Sequence, residues 1–413
     1  MWVGEFDVAC PGAELQLPNG PDGLPYRRAR ILMRFGGEPL GMVTVDRDRL
    51  DAAGLLALAA DRFGSEIAAV APEGWSPGTP TSELPPELAA LLDGPLPSIS
   101  VVIGTRNRPD QVVECTNVIF GLRYPAPIEV IIVDNGASDT ATADAVQAAF
   151  GDDDRVRYIA ETRPGLSRAR NLGLAAANHP ITAFLSDDIR VDALWLLAIV
   201  RGFNRDPRVQ CVTGFCPPMY LDTAEQLLFE SSMAWGTRQG FSPVLHHFSS
   251  TDDRLHPYRP GSFANGSNMA YDTEVFRHHG GFDESLGPGT IAKGGEDLDA
   301  PIRLLAHDGL VAYEPAAIGW HADRYDDRAF TKHMYTYGLG LTAFLTKHVL
   351  DGRYRRHVLG RIPAGLPVLA KGFDGRDREL LDSRSLPKKY YFWHFFGRLA
   401  GPFAYLRSRR VRG

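Results

Sequence analysis

The chain has 413 residues, a formal net charge of −6, and 44% hydrophobic and 23% charged residues. Those proportions fit a soluble globular protein of two or three domains. Four cysteines, Cys10, Cys115, Cys211 and Cys216, are too few and too scattered for a disulfide framework, and no zinc-spaced pair follows them, so reduced thiols in a cytoplasm are expected. The opening MWVGEFDVAC has neither the basic segment nor the long apolar core of a signal peptide. No apolar run reaches the ~18 residues of a transmembrane helix.

Residues 1–70 read as a small α+β unit. Tyr26–Phe35 alternates, with Ala29, Ile31 and Met33 on one side. Gly36-Gly37-Glu38-Pro39 is a turn signal, and Leu40–Val45 returns as the partner strand. Asp51–Ala69 carries apolar residues at helical spacing. Residues 71–97 hold seven prolines and read as a linker rather than a core element. From Ser98 strands and helices alternate. Ser98–Gly104 is a strand, Asp110–Leu122 a helix opened by Pro109, and Ile128–Val133 a strand apolar enough to be covered on both faces. Thr140–Phe150 (helix), Arg155–Ile159 (strand), Leu166–Ala177 (helix) and Ile181–Leu185 (strand) follow. That order predicts an α/β fold with a parallel, doubly wound sheet. A helix is expected over Thr223–Met233, a loop region over Phe229–Tyr258, and a helix over Tyr325–Val349, where Gly338 and Gly340 weaken the pattern. The end is basic: residues 353–413 hold 15 Lys+Arg against 4 Asp+Glu, which points to an anionic partner surface.

Five clusters carry candidate chemistry. ITAFLSDD (181–188) runs an apolar strand straight into two carboxylates, which repel unless a cation sits beside them. Asp187 and Asp188 therefore suggest a metal-diphosphate site at the carboxyl end of a sheet strand, with an Asp-rich turn or helix cap as the plainer reading. Gly104-Thr105-Arg106 and Asp134-Asn135-Gly136 close two strands where a base and ribose would sit, or are ordinary βα turns. Gly165-Leu166-Ser167-Arg168-Ala169-Arg170-Asn171 opens a helix with a glycine and two arginines, suited to a phosphate or to solvent. Gly294-Gly295-Glu296-Asp297-Leu298-Asp299 offers a general base at a cleft edge, although acids at a helix start also serve the dipole. His321 follows a strand-like segment, and taken alone a single histidine is more often structural.

Taken in order, SVVIGTRNRP, EVIIVDNGASD, RPGLSRARNLGL, AFLSDDIRVDALWL, FANGSNMAYDTEVFRHHGGFDESLG, GGEDLD and YEPAAIGWHADR resemble the family 2 glycosyltransferases of GT-A fold, over about Pro97 to Val349. The resemblance implies a mostly parallel, doubly wound sheet over 98–350, preceded by the α+β unit (1–70) and Pro-rich linker (71–97), and followed by a basic aromatic helical tail (351–413). It implies inverting transfer from a nucleotide-diphosphate sugar, with Mn²⁺ or Mg²⁺. By position it implies Thr105, Arg106 and Asp134 at the nucleoside, Arg170 at the diphosphate, Asp187 at the ribose, and Gly165 among the donor-binding residues. Asp188 and His321 would be metal ligands, and Asp297 the base, with Glu296 positioning acceptor or base. Ser186 stands where the first aspartate of the motif often stands, which leaves fewer charges for the cation.

The implied partners are a nucleotide-diphosphate sugar, a UDP-sugar by the family's commonest base, and an acceptor hydroxyl. The run from Lys388 to Phe396, followed by Arg407–Arg410, fits a membrane interface, which would dock the enzyme at the inner leaflet or match a lipid-linked acceptor. It equally fits a helix packing its aromatics on the catalytic domain. Nucleic acid is not expected, because no recognition module accompanies the charge. Two other readings stand beside this one. A sugar-phosphate nucleotidyltransferase would share the GTR loop, but no lysine follows in the expected place. A non-catalytic nucleotide-sugar scaffold would be expected to lose the carboxylates that are present here.

Overall fold

The structure, a computed structural model, describes all residues except 12–17, 77, 234–238, 251–252, 260–262, 265, 323–325, 372–379, 381–385 and 413. Tyr325, where a helix was expected to begin, and parts of the loop region expected over Phe229–Tyr258 lie outside the described residues.

The chain opens with three strands and a helix. β1 (Trp2–Asp7) runs parallel to β2 (Arg28–Phe35), which pairs antiparallel with β3 (Glu38–Asp46). α1 (Ala52–Val70) follows, its first turn capped by Asp51, whose carboxylate accepts from the Gly54 amide at 2.6 Å. β2 is buried on both faces. Ala29, Ile31, Met33 and Phe35 meet Leu55, Ala59 and Ile67 of α1. On the other face Leu32 packs with Phe215, Tyr313 and Ile318 of the next domain. Ion pairs complete that seam: Arg34 reaches Asp192 at 2.7 Å, and Arg201 joins Glu38 to Glu314.

α2 (Pro86–Leu92) lies inside the stretch read as a linker. Its Leu88 is fully buried in the core of the second domain. The proline content hid it, because PELAALL makes only about two turns.

The second domain is built on one large sheet. Its strands are β4 (Ile99–Thr105), β5 (Ile128–Asn135), β6 (Val156–Glu161), β7 (Ile181–Ser186), β9 (Val209–Gly214), β10 (Val244–His246), β11 (Asn268–Asp272) and β12 (Leu310–Glu314). A short pair, β8 (Ile189–Val191) and β13 (Gly319–His321), stands beside it. The order across the large sheet is β10-β12-β9-β11-β7-β4-β5-β6. β7, β4, β5 and β6 are mutually parallel, as are β9 and β12, while β11 runs against both of its neighbours. The mixed α/β architecture with a mostly parallel sheet is therefore present as expected.

The helices are α3 (Pro109–Phe120), α4 (Ala141–Phe150), α5 (Leu166–Ala176), α6 (Trp195–Asn204), α7 (Ala224–Met233), α8 (Thr273–His278) and α9 (Glu296–Leu305). Three helices end the chain: α10 (Asp327–Leu350), α11 (Gly352–Lys371) and α12 (Lys388–Arg412). Val101, Ile103, Val130 and Ile132 face one core, while Val102, Ile131 and Val133 face the other. Each such side chain contributes ~1.5–3 kcal/mol on burial, which fixes the strand tips that carry the polar residues.

Candidate active site

β4, β5 and β6 step outward in one direction, and β7 then lies on the other side of β4. A reversal of this kind opens a crevice at the carboxyl ends of the two central strands. Thr105, the last residue of β4, donates its hydroxyl across that crevice to Asp187 Oδ2 at 2.7 Å. Arg108 donates to Asp187 Oδ1 at 2.6 Å and to Asp188 Oδ2 at 3.1 Å. Both Asp187 oxygens are thus engaged within the protein. Burial pushes its carboxyl up, against the Thr105 bond and the Arg108 charge.

The β8–β13 register sets His321 opposite Ile189, next to Asp188. His321 Nε2 lies 3.6 Å from Asp188 Oδ1. That exceeds hydrogen-bond range, and Oδ1 is a buried oxygen with no hydrogen-bond partner. An unsatisfied carboxylate oxygen facing an imidazole nitrogen is a donor set suited to a divalent cation. Burial pushes the Asp188 carboxyl up, but His321 and Arg108 outweigh it and hold it at about 2. Among the described residues, no three His, Cys, Asp or Glu side chains converge as a complete cage. Two protein ligands are what Mg²⁺ or Mn²⁺ needs when substrate phosphates and water supply the rest.

Asp134 ends β5. Its Oδ2 accepts from the Tyr158 hydroxyl of β6 at 2.9 Å, while Oδ1 is buried without a partner. Burial pushes this carboxyl up. Arg106 is exposed just beyond Thr105. Asn107, at φ 54°, accepts from the Ser138 amide at 3.0 Å and ties the two strand-tip loops together.

The start of α5 is bonded to protein groups. The Gly165 amide donates to Asn135 Oδ1 at 2.7 Å, and the Leu166 amide to the Pro288 carbonyl at 2.9 Å. Protein acceptors thus take the first amides of this helix. Arg168 pairs with Glu284 at 3.2 Å. Arg170 is only 3% exposed and bridges Glu296 Oε1 at 3.1 Å to the Gly266 carbonyl at 2.5 Å. The segment after α8 packs over this helix start, and Arg170 reaches the acidic loop.

That acidic loop opens α9. Gly295 takes φ 93°, and a Cβ there would stand 2.7 Å from the Gly340 carbonyl oxygen. The tight approach of α9 to α10 therefore requires glycine. Asp297 Oδ2 accepts from the Gly266 amide at 3.2 Å. Burial raises both Glu296 and Asp297, the Asp297 charge adds to the rise of Glu296, and Arg170 opposes both. Asp299 points inward to Arg303 at 2.9 Å, Lys347 at 2.7 Å and His348 at 3.0 Å. Register joins this loop to the crevice. Asn268 of β11 pairs with Leu185 of β7, so the chain around Gly266 enters the sheet at the rim where β7 ends.

Residues 100–280 match the sequence model described as Glycosyl transferase family 2. Residues 100–280 are a family 2 glycosyltransferase domain. The glycosyltransferase chain is 26% identical to the pre-mycofactocin glycosyltransferase of Mycobacterium tuberculosis (strain CDC 1551 / Oshkosh), over 85% of this chain and 71% of that one. It is 25% identical to the validoxylamine A glucosyltransferase of Streptomyces hygroscopicus subsp. limoneus, over 61% of this chain and 57% of that one. A solved mannosyltransferase from Pyrobaculum calidifontis, in complex with GDP-Man and Mn²⁺, aligns at TM-score 0.47 and 18% identity, over 79% of this chain and 92% of that one.

Three site residues of the glycosyltransferase were not singled out by sequence reasoning. Arg108 sits inside TRNRP, but its reach to two carboxylates depends on the turn after β4. Gly266 sits inside FANGSN and is marked only by its contact with Asp297. Tyr158 stands on a neighbouring strand, and only the sheet order brings it to Asp134.

Proposed function

We propose that this family 2 glycosyltransferase moves a hexosyl group from a nucleotide-diphosphate sugar, a UDP-sugar in the first instance, to an acceptor hydroxyl with inversion. The observation that carries the mechanism is the Asp297 carboxylate. It lies at the sheet rim, its pKa is raised by burial, and the Gly266 amide holds one oxygen at 3.2 Å. A base raised toward neutrality accepts a proton more readily than an ordinary carboxylate. The acceptor oxygen attacks the anomeric carbon as Asp297 takes its proton. The new glycosidic bond forms while the bond to the diphosphate breaks, and the diphosphate leaves with the electron pair.

The remaining residues bind and orient. Asp134 Oδ1, buried and unpartnered, is positioned for a donor group of the base, with Thr105 and Arg106 along the nucleoside. Asp187 holds Thr105 and Arg108 at the ribose edge. Asp188 and His321 would hold Mn²⁺ or Mg²⁺, which when bound offsets the charge of the leaving diphosphate. Arg170 keeps Glu296 and the Gly266 strap in place. In this reading it acts on the base loop, and it does not bind the diphosphate.

Asp297→Asn is the test. The donor-induced rise in melting temperature should survive, because a ligand that binds the native state stabilises it by mass action. Turnover should fall ~10²–10⁴-fold. Wild-type turnover by the variant would remove Asp297 as the base. Pyrophosphate release from a nucleoside triphosphate would instead favour a nucleotidyltransferase.

A further inference from the structure

α12 has two faces. One packs on α10 so closely that the backbones touch. A Cβ on Gly397 would stand 2.1 Å from the Tyr335 carbonyl oxygen, and one on Gly401 would stand 2.0 Å from Thr342 Oγ1. The Thr342 hydroxyl donates across this contact to the Arg398 carbonyl at 2.7 Å. Tyr390 and Tyr405 are buried on the same side.

The opposite face carries Phe392, Phe395, Phe396, Leu399, Phe403 and Leu406, each 42–76% exposed. They recur every three or four residues, so they form one stripe along the helix, ~20 Å long. Phe392 and Phe396 lie 4.5 Å apart between ring centroids, so the aromatics cluster with one another. A continuous apolar stripe of this kind marks an interaction site.

Charge selects the occupant. α12 holds seven Lys and Arg residues and no Asp or Glu. Lys388 and Lys389 precede the stripe, and Arg407, Arg409 and Arg410 flank its end, all of them exposed. A second copy of this face would bring like charges together at both ends. An anionic lipid surface accepts the aromatics below the headgroups and the cations among them. Among the described residues, no helix is long and apolar enough to cross a membrane.

We propose that α12 docks the protein on the surface of an anionic phospholipid membrane and lies along it, with the Phe392–Leu406 stripe at the headgroup–acyl boundary. α10 links this helix to the acidic loop. Its Lys347 and His348 hold Asp299, two residues beyond Asp297. Tyr405 of α12 also reaches Asp283, which Lys347 pairs at 3.0 Å. The docked helix therefore holds the crevice at a fixed attitude to the membrane, where an amphiphilic acceptor would be presented. The docking itself does not depend on the transfer reaction.

The test is sedimentation of the full chain with vesicles of phosphatidylcholine alone, or of phosphatidylcholine mixed with phosphatidylglycerol. The protein should pellet with the mixed vesicles only, and less at ~0.5 M salt than at ~0.1 M, as charges are screened. Phe396→Ser combined with Phe403→Ser should weaken that binding ~10-fold or more, because the apolar face supplies the insertion. Both positions are exposed, so the melting temperature and the nucleotide-induced shift should not change. Arg407→Gln with Arg410→Gln should reduce the preference for the anionic vesicles. Absence of binding to the mixed vesicles, or full binding by the double serine variant, would overturn the proposal. A dimer in light scattering that the same serine substitutions dissolve would also overturn it, and would assign the stripe to a second copy.

Discussion

The two sides of the crevice are built to opposite plans. On the base side, Arg170, Glu296, Asp297 and Gly266 bind one another, and none of their buried side-chain polar atoms stands without a partner. On the nucleotide side, Asp134 Oδ1 and Asp188 Oδ1 are both buried without a hydrogen bond. Unsatisfied buried acceptors are costly, and a fold keeps them where a ligand will complete them. The contrast separates two tasks. The base is pre-set by the protein, whereas the donor side is finished by what binds there. Substitutions on the base side should therefore change kcat, and those on the donor side should change donor affinity.

The sharpest way to break this division is Gly266→Ala. The new Cβ would stand 2.7 Å from both Cβ and Oδ2 of Asp297, closer than real Cβ contacts come. The base must move, and a displacement of ~1 Å costs ~10²-fold in rate. KM for the donor should change little, because Gly266 bonds Asp297 and Arg170, both on the base side. A large rise in donor KM with kcat preserved would place the strap on the nucleotide side and end the distinction.

Asp188→Ala tests the other side with a smaller effect on the chemistry. It removes the unpartnered oxygen facing His321. Donor binding with Mn²⁺ should weaken ~10-fold or more, and the metal-dependent part of the thermal shift should vanish. The metal-free shift given by the nucleoside diphosphate should persist. If the variant keeps a full metal-dependent shift, Asp188 is not a ligand.

What the sequence shows follows the same divide. The strands of the parallel half, and the residues at their tips, are local patterns. Thr105, Asp134, Asp187 and Asp188 can be read off because each ends an apolar run. Arg170 was placed at the diphosphate because arginines near a helix start suit phosphate. In the structure Arg170 bonds Glu296 and the Gly266 carbonyl, and the segment at Pro288 and Gly289 covers that helix start. Such coverage comes from a segment more than a hundred residues away, and no local pattern reports it. Arg108 and Tyr158 were missed for a related reason, since the partners of Arg108 lie just beyond β7 and that of Tyr158 lies on β5. The burial of Leu88 was missed because composition was averaged over the proline-rich stretch that contains it.

The smallest expected effect is a displacement on the pH axis. Burial raises the Glu296 and Asp297 carboxyls, while Asp188 is held at about 2. The base must be ionised to take a proton, so turnover should rise as pH climbs through the raised titration of the base pair. That acid limb should lie above the ordinary carboxylate range of ~4. Because the two groups interact, the limb belongs to the pair and not to either residue alone. Arg170 opposes the rise, so Arg170→Gln should move the limb to still higher pH. Arg108→Gln, beside Asp187 and Asp188, should leave it in place while weakening donor binding. A limb position does not depend on how much enzyme is folded, so partial loss of stability in the Arg170 variant would lower the profile without shifting it. If Arg108→Gln moved the limb and Arg170→Gln did not, the titrating group would belong to the nucleotide side, and Asp297 would lose its assignment.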